Sequence, residues 1–168
     1  KAFGSLTFPF FMEKEAPVSK QKSMLSYQCS YEGTVSAESS EFFVTITVPV
    51  TTLCPCSKAI SNEGAHNQRG NVTVKLKNSF FFWIEDVIKL IEDSASCAIY
   101  SLLKREDEKF VTEKAYDNPR FVEDVVREVY LALKSFSGEK SFTWFSVEAE
   151  NFESIHNHNA YAYTEFTE

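Results

Sequence analysis

The sequence predicts an α+β protein, an antiparallel sheet with two long helices on one face. Two observations carry that prediction. Apolar and polar residues alternate through four stretches in the first half of the chain and two at its end, the period of half-buried strands. Between them the spacing lengthens twice to the three-and-four pattern of an amphipathic helix. The order is a strand pair followed by strand–strand–helix–helix–strand–strand.

In Leu6–Met12, the residues Leu6, Phe8, Phe10 and Met12 alternate with Thr7, Pro9 and Phe11. Pro9 predicts an edge position or a bulge there, because proline cannot donate to a ladder. A polar turn, Ala-Pro-Val-Ser-Lys-Gln-Lys at 16–22, leads into a second extended run, Met24–Val35, and Gly33 helps turn the chain toward Ser36–Ser40. Phe42, Val44, Ile46, Val48 and Val50 share one strand face, opposite Thr45 and Thr47; Val72, Val74 and Leu76 alternate with Asn71, Thr73 and Lys75. Ile84, Val87, Ile88, Ile91, Ala95, Ala98 and Leu102 then fall on one stripe, a helix of roughly five to six turns at 3.6 residues each. Cys97 lies off that stripe, toward a neighbour or solvent. Residues 105–117 are highly polar and read as a connection. Asn118-Pro119 reads as a helix start, a cap followed by proline in the first turn. Val122, Val125, Val126, Val129 and Leu133 form the second stripe, with Gly138 as its stop. Residues 141–150 and 160–165 are the last strands. No linker divides the chain into independent domains.

A chain of 168 residues can bury one substantial core. Its aromatic content of 15%, with 16 phenylalanines, fits a sheet-dominated core or a large subunit interface, because aromatic side chains bury the most area. The net charge of −7 argues against a nucleic-acid surface, which needs a basic stripe, yet leaves room for a nucleotide held by a few local cations. No apolar run approaches the roughly 18–20 residues of a membrane span. Cys29, Cys54, Cys56 and Cys97 are too few and too irregularly spaced for a secreted disulfide scaffold. Reduced thiols and a cytoplasmic location are therefore expected. The chain opens without Met and inside a strand, so a preceding portion is expected.

The chemistry concentrates in Val50–Arg69, between two strands. This stretch holds Cys54, Cys56, Lys58, His66, Asn67, Gln68 and Arg69. Long connections of this kind are usually functional or disordered, and the regular flanking strands argue for function. Cys54-Pro55-Cys56 alone is a weak metal signal, and two small buried hydrophobes would read the same. His66 in the same stretch adds a second good ligand for zinc or iron. Glu108 sits in the charge run Arg105-Glu106-Asp107-Glu108 and reads as solvated. Glu123, near a helix start, is explained by the helix dipole, but a carboxylate at a pocket rim can also accept the ring N–H and exocyclic amine of guanine. His156-Asn157-His158, with Glu153 upstream, would put both rings on one side of an extended chain. The pair reads as a polar loop or as acid–base groups suited to neutral pH.

Leu-Cys-Pro-Cys-Ser-Lys at 53–58 with Gly-Ala-His-Asn-Gln-Arg at 64–69 closely resembles the signature of GTP cyclohydrolase type IB. The blocks 16–23, 102–124 and 150–162 resemble the other signature stretches of that family, in order and over nearly the whole chain. The resemblance implies the tunnelling fold, whose strand–strand–helix–helix–strand–strand modules associate into a β-barrel with helices outside. On that reading residues 1–35 are the last hairpin of an incomplete first module, and residues 36–168 are a complete second module carrying the site. Cys54, His66 and Glu108 match the metal positions, for zinc, manganese or iron. Glu123 matches the carboxylate that anchors the purine, and His156 and His158 match the histidines near the metal. Cys56 would be a second thiol in the pocket. Cys54, His156 and His158 would be the catalytic groups. Lys22, Lys58 and Arg69, with Lys20, would be candidates for the triphosphate. The chain departs from the family at Glu106, where proline is usual, which is expected to loosen the segment presenting Glu108.

The implied reaction is hydrolysis at C8 of GTP, releasing formate and giving dihydroneopterin triphosphate for folate and pterin synthesis. The implied assembly is a homo-oligomer, dimer or tetramer, with sites between subunits and with no nucleic-acid or membrane partner. Two other readings compete: a nitrile oxidoreductase on the same fold, and a non-catalytic purine- or pterin-binding module.

Overall fold

Strand alternation runs further along this chain than the apolar pattern alone marks. A computed structural model describes residues 1–77, 80–136 and 141–168. Its elements are β1 (Ala2–Glu15), β2 (Lys22–Val35), β3 (Ser40–Leu53), α1 (Pro55–Ile60), β4 (Asn67–Lys77), α2 (Ile84–Ser94), β5 (Cys97–Ala98), α3 (Arg105–Asp117), α4 (Val122–Lys134), β6 (Trp144–Asn151) and β7 (Ala160–Thr167). The strands form one antiparallel sheet in the order β1-β2-β3-β4-β6-β7, and the short β5 pairs with β3 beyond the end of the β2 ladder. Pro9 lies in β1, an edge strand, as its missing N–H requires.

Register decides the two faces. Val44, Ile46, Val48 and Val50 of β3 lie beside Val72, Val74 and Leu76 of β4 and Phe145, Val147 and Ala149 of β6, all buried. Helices α2 and α4 cover that face with Val87, Ile88 and Ile91 and with Val122, Val125, Val126, Val129 and Leu133. Each such side chain contributes roughly 1.5–3 kcal/mol on leaving water. The opposite face is polar: the Thr47 and Thr73 hydroxyls meet at 3.0 Å, and Lys75 donates to Glu32 at 2.7 Å. The β1–β2 hairpin is tied to α2 by an ion pair between Lys14 and Glu92, and the Tyr27 hydroxyl donates to Glu92 at 2.8 Å. Burial lowers the Lys14 pKa, an effect partly offset by Glu92.

Five expectations need correction. The first long helix stops at Ser94, because residues 95–98 are held extended by tertiary hydrogen bonds. Leu53 N–H donates to Ser96 Oγ at 3.1 Å, Asn118 Nδ2 donates to Ala95 O at 2.9 Å, and Cys97 pairs with Thr51. Cys97 is accordingly buried, not turned to a neighbour or solvent. Residues 105–117 are a helix, not a connection. Only Asp107 and Ala115 are buried along α3, so it has no broad apolar stripe. Its start is made by the Asp107 carboxylate, which accepts Lys104 N–H at 2.8 Å, and by three acidic residues in the first turn, favourable at the positive end of the helix dipole. Asn118 ends α3 rather than starting α4, which begins at Val122 after Asp124 accepts Phe121 N–H at 3.0 Å. Glu106 stands in the first turn of α3, so the expected loosening has no loop to act on. Gly138 lies outside the described residues.

Gly70 of β4 lies directly against β6: a Cβ there would stand 2.6 Å from Asn151 Oδ1 and 2.9 Å from Glu150 O. Gly70→Ala is expected to destabilise the protein by about 1–3 kcal/mol, since the second neighbour is backbone and cannot rotate away. Chemical denaturation checks this; an unchanged midpoint would mean that β4 and β6 part freely.

Candidate active site

The segment joining β3 to β4 is folded back on itself. Cys54 is the residue before α1, Pro55 occupies the first helical turn, and the Cys54 sulfur accepts Ser57 N–H at 3.5 Å. Cys54 N–H donates to His66 O at 3.1 Å, one step beyond the last β3–β4 pair, Leu53 with Asn67. Ser57 closes the connection: its hydroxyl donates to Cys54 O at 3.1 Å and accepts His66 N–H at 3.2 Å. A cysteine and a histidine twelve positions apart are thereby held beside each other.

Two further segments meet this pair. Arg120 N–H donates to Leu53 O at 3.0 Å, which seats the start of α4 against the end of β3. Phe152 N–H donates to Arg69 O at 2.9 Å, which brings in the β6–β7 loop. The result is a cleft of about 260 Å³ lined by Cys54, His66, Gln68, Arg120, Phe121, Val122, Glu123, Asn151, Glu153, His156, His158 and Ala160. The His156 and His158 rings stack with centroids 5.2 Å apart and an angle of 20°, so both sit on one side of the chain.

The cleft gathers Cys54, His66, Glu123, His156 and His158, but not Glu108. That residue is exposed on α3 and outside the cleft. A thiolate and imidazoles suit zinc or iron, so the donor chemistry of Cys54 and His66 fits a metal. A third donor is not in place within one chain: among the described residues no three His, Cys, Asp or Glu side chains stand close enough to share an ion. Cys56 does not lie in the cleft. Two residues along a helix point to different sides, and Cys56 is exposed on α1.

The expected phosphate cations are dispersed. Lys22 is exposed and paired with Glu13 at 2.9 Å, and Lys20 lies 3.4 Å from Glu15. Lys58 donates to Tyr116 O and stands 4.2 Å over the Tyr116 ring. Arg69 follows Gln68 on a strand and so faces the other way, into a separate cavity of about 970 Å³ under α3. Among the described residues, Arg120 is the one Lys or Arg lining the cleft. Its Nε is buried without a partner, and a terminal nitrogen lies 3.6 Å from Glu128. Its only trace in the sequence is its place just before a helix start.

Asp107, in a charge run of the sequence, ties the β1–β2 turn to the start of α3, away from the cleft. Fully buried, its carboxylate accepts Val18 and Ser19 N–H at 2.8 Å each, the Ser19 hydroxyl, and Lys104 N–H. It thus clamps the 16–22 turn, where Lys20 adopts a left-handed φ of 60°, to the helix that carries Glu108.

A cleft that brings a thiol, imidazoles, an arginine and carboxylates together from three segments belongs to the class of pockets whose polar groups suit a small polar ligand. The comparisons with known proteins then narrow the class. Residues 1–162 match the family described as type I GTP cyclohydrolase folE2, and the chain belongs to that family. A GTP cyclohydrolase FolE2 of Syntrophus aciditrophicus is 60% identical over 160 residues, 95% of this chain and 62% of the relative. Those of Geobacter sulfurreducens and Fervidobacterium nodosum are 56% and 55% identical over 157 residues, 94% of this chain and 59% of each relative. The chain therefore spans about three fifths of the length of the curated relatives it matches. No described helix is long and apolar enough to cross a membrane.

Burial alone would raise the Asp107 pKa, but its four hydrogen bonds outweigh that and hold it well below the ordinary value. A carboxyl depressed in the folded state stabilises it fully above the unfolded pKa of about 3.9, and that stability is lost as the pH falls through the folded value. Asp107→Asn is expected to be less stable at pH 7 and to lose part of the acid limb below pH ~4. Denaturation midpoints across pH test this, and a variant with the wild-type acid limb contradicts it.

Proposed function

We propose that this chain supplies the guanine-opening site of a GTP cyclohydrolase, hydrolysing C8 of GTP to formate and giving dihydroneopterin triphosphate. The observation that carries the reading is the cleft that holds Glu123 together with Cys54, His66 and the His156–His158 pair. The family membership supports it.

Glu123, exposed at the start of α4, accepts N1–H and the exocyclic amine of guanine, a bidentate charge-assisted contact that orients the base. The stacked His156 and His158 move protons as C8 takes up water twice and departs as formate. Cys54 and His66 would hold a divalent cation, zinc, manganese or iron, whose Lewis acidity would make water a nucleophile at neutral pH.

A cleft of about 260 Å³ takes a base but leaves ribose and triphosphate outside, because pockets that bury drug-sized ligands run to roughly 300–1,000 Å³. A second copy completes the site in this reading. Exposed Phe3, Leu6 and Phe11 on β1 and Tyr161 and Tyr163 on β7 support closure through the edge strands, into the barrel that the family resemblance implies. Glu108, Lys22, Lys58 and Arg69, all outside their own chain's cleft, are assigned to a neighbouring copy's site. A cytoplasmic location fits the reduced thiols.

The test uses metal-loaded protein extended to the full length of its relatives, incubated with GTP and assayed for formate and a fluorescent pterin. Both products are expected. Glu123→Gln is expected to lower kcat/KM by at least about 100-fold, since it leaves a buried donor edge of the base unpaired. Absence of both products, or a Glu123→Gln variant of unchanged kcat/KM, overturns the assignment.

A further inference from the structure

We propose that Gln68 and Thr52 act as a relay of positioning residues that fixes the His66 ring in a single tautomer, protonated on Nδ1, leaving Nε2 as the nitrogen free to bind. The inference rests on the reading of His66 as a metal ligand. The relay itself rests on the geometry of three side chains.

Gln68 Nε2 donates to Thr52 Oγ1 at 2.9 Å, and Gln68 Oε1 lies 3.0 Å from His66 Nδ1. Thr52 is fully buried and Gln68 is 7% exposed, so water does not compete for these groups. An amide has one donating and one accepting end. With the donor end occupied by Thr52, the end facing His66 can only accept. A neutral imidazole carries one ring proton, which must then sit on Nδ1, and the lone pair of Nε2 is left unshared. The backbone that carries the ring is held at both of its polar groups, by Ser57 Oγ at 3.2 Å and Cys54 N–H at 3.1 Å, which keeps the ring's point of attachment within reach of Gln68. Strand alternation makes the arrangement possible. His66 and Gln68, two apart, lie on the same side, and Thr52 is the direct β3 partner of Gln68. The amide turned over would reverse the result, placing the proton on Nε2 and closing that nitrogen to a cation.

The experiment has two readouts on intact protein. Long-range ¹⁵N–¹H spectra of the metal-free protein report the tautomer, and zinc alone, titrated against a competing chelator, reports affinity. Wild type is expected to show the Nδ1–H form. Thr52→Val, which keeps shape but removes the acceptor, is expected to mix the tautomers and weaken zinc 10–100-fold, as is Gln68→Leu. Thr52→Ser, which keeps the hydroxyl, and Gln68→Glu, which keeps the acceptor, are expected to retain the Nδ1–H form. An Nε2–H tautomer in wild type overturns the relay, as does wild-type zinc affinity and tautomer in both Thr52→Val and Gln68→Leu. The wild-type spectrum decides even if a variant fails to fold. His66→Ala separates the two claims: unchanged zinc affinity there removes the ligand reading while leaving the tautomer result standing.

Discussion

Successive residues of a strand point to opposite faces, and on β4 that constraint decides which groups can work together. His66 and Gln68 turn toward the cleft with the buried Thr52, while Arg69 turns to the larger cavity under α3. A one-residue slip of β4 against β3 would exchange these sets and expose Val72, Val74 and Leu76 as well. The same apolar burial that holds the register therefore holds the site. Gly70 and the buried Asn151 guard it on the other flank, where a side chain at 70 would push β6 and its histidine loop away.

The remaining parts of the site are hung on this sheet by single hydrogen bonds between distant segments. Leu53 is the meeting point: its N–H goes to Ser96 and its carbonyl takes Arg120 N–H, so the α2–α3 connection and the start of α4 are both set from one strand end. Asp107 does the same for the β1–β2 turn, and with Lys104 it also starts α3. A buried carboxylate with several N–H donors is strong and directional, which suits a task where a loop must be placed without a broad apolar contact. The outcome is a cleft whose walls come from residues 54–68, 120–123 and 151–160 and whose geometry depends on few contacts.

Much of this was legible in the sequence because it depends on periodicity. The six long strands and the apolar stripes of α2 and α4 follow from alternation and from the three-and-four spacing. The extra length given to the first helix came from Ala95, Ala98 and Leu102, which continue the stripe by chance while Ser96 and Asn118 hold the chain extended from residue 95. Helix α3 was missed because its stability comes from capping and charge rather than from an apolar face, and periodicity sees only the latter. Of the site, Cys54, His66, Glu123, His156 and His158 were named from residue type and family resemblance, and one cleft contains them. Arg120 and Asp107 carry no such mark, and Gln68 is marked only as a member of its stretch. What the sequence does not show is the distant partner: Thr52 for Gln68, Ser19 for Asp107. Glu108 and the lysines show the reverse: the pattern marks them, yet the fold of one chain leaves them outside the cleft.

The most direct measurement is a crystal structure of the protein bound to a GTP analogue that cannot be opened at C8. The account predicts the guanine ring in the cleft of residues 54–68, 120–123 and 151–160, with N1 and the exocyclic amine within hydrogen-bond distance of Glu123 and C8 toward Cys54 and His66. A base seated instead in the cavity on the Arg69 side of β4, with Glu123 in water, would contradict it.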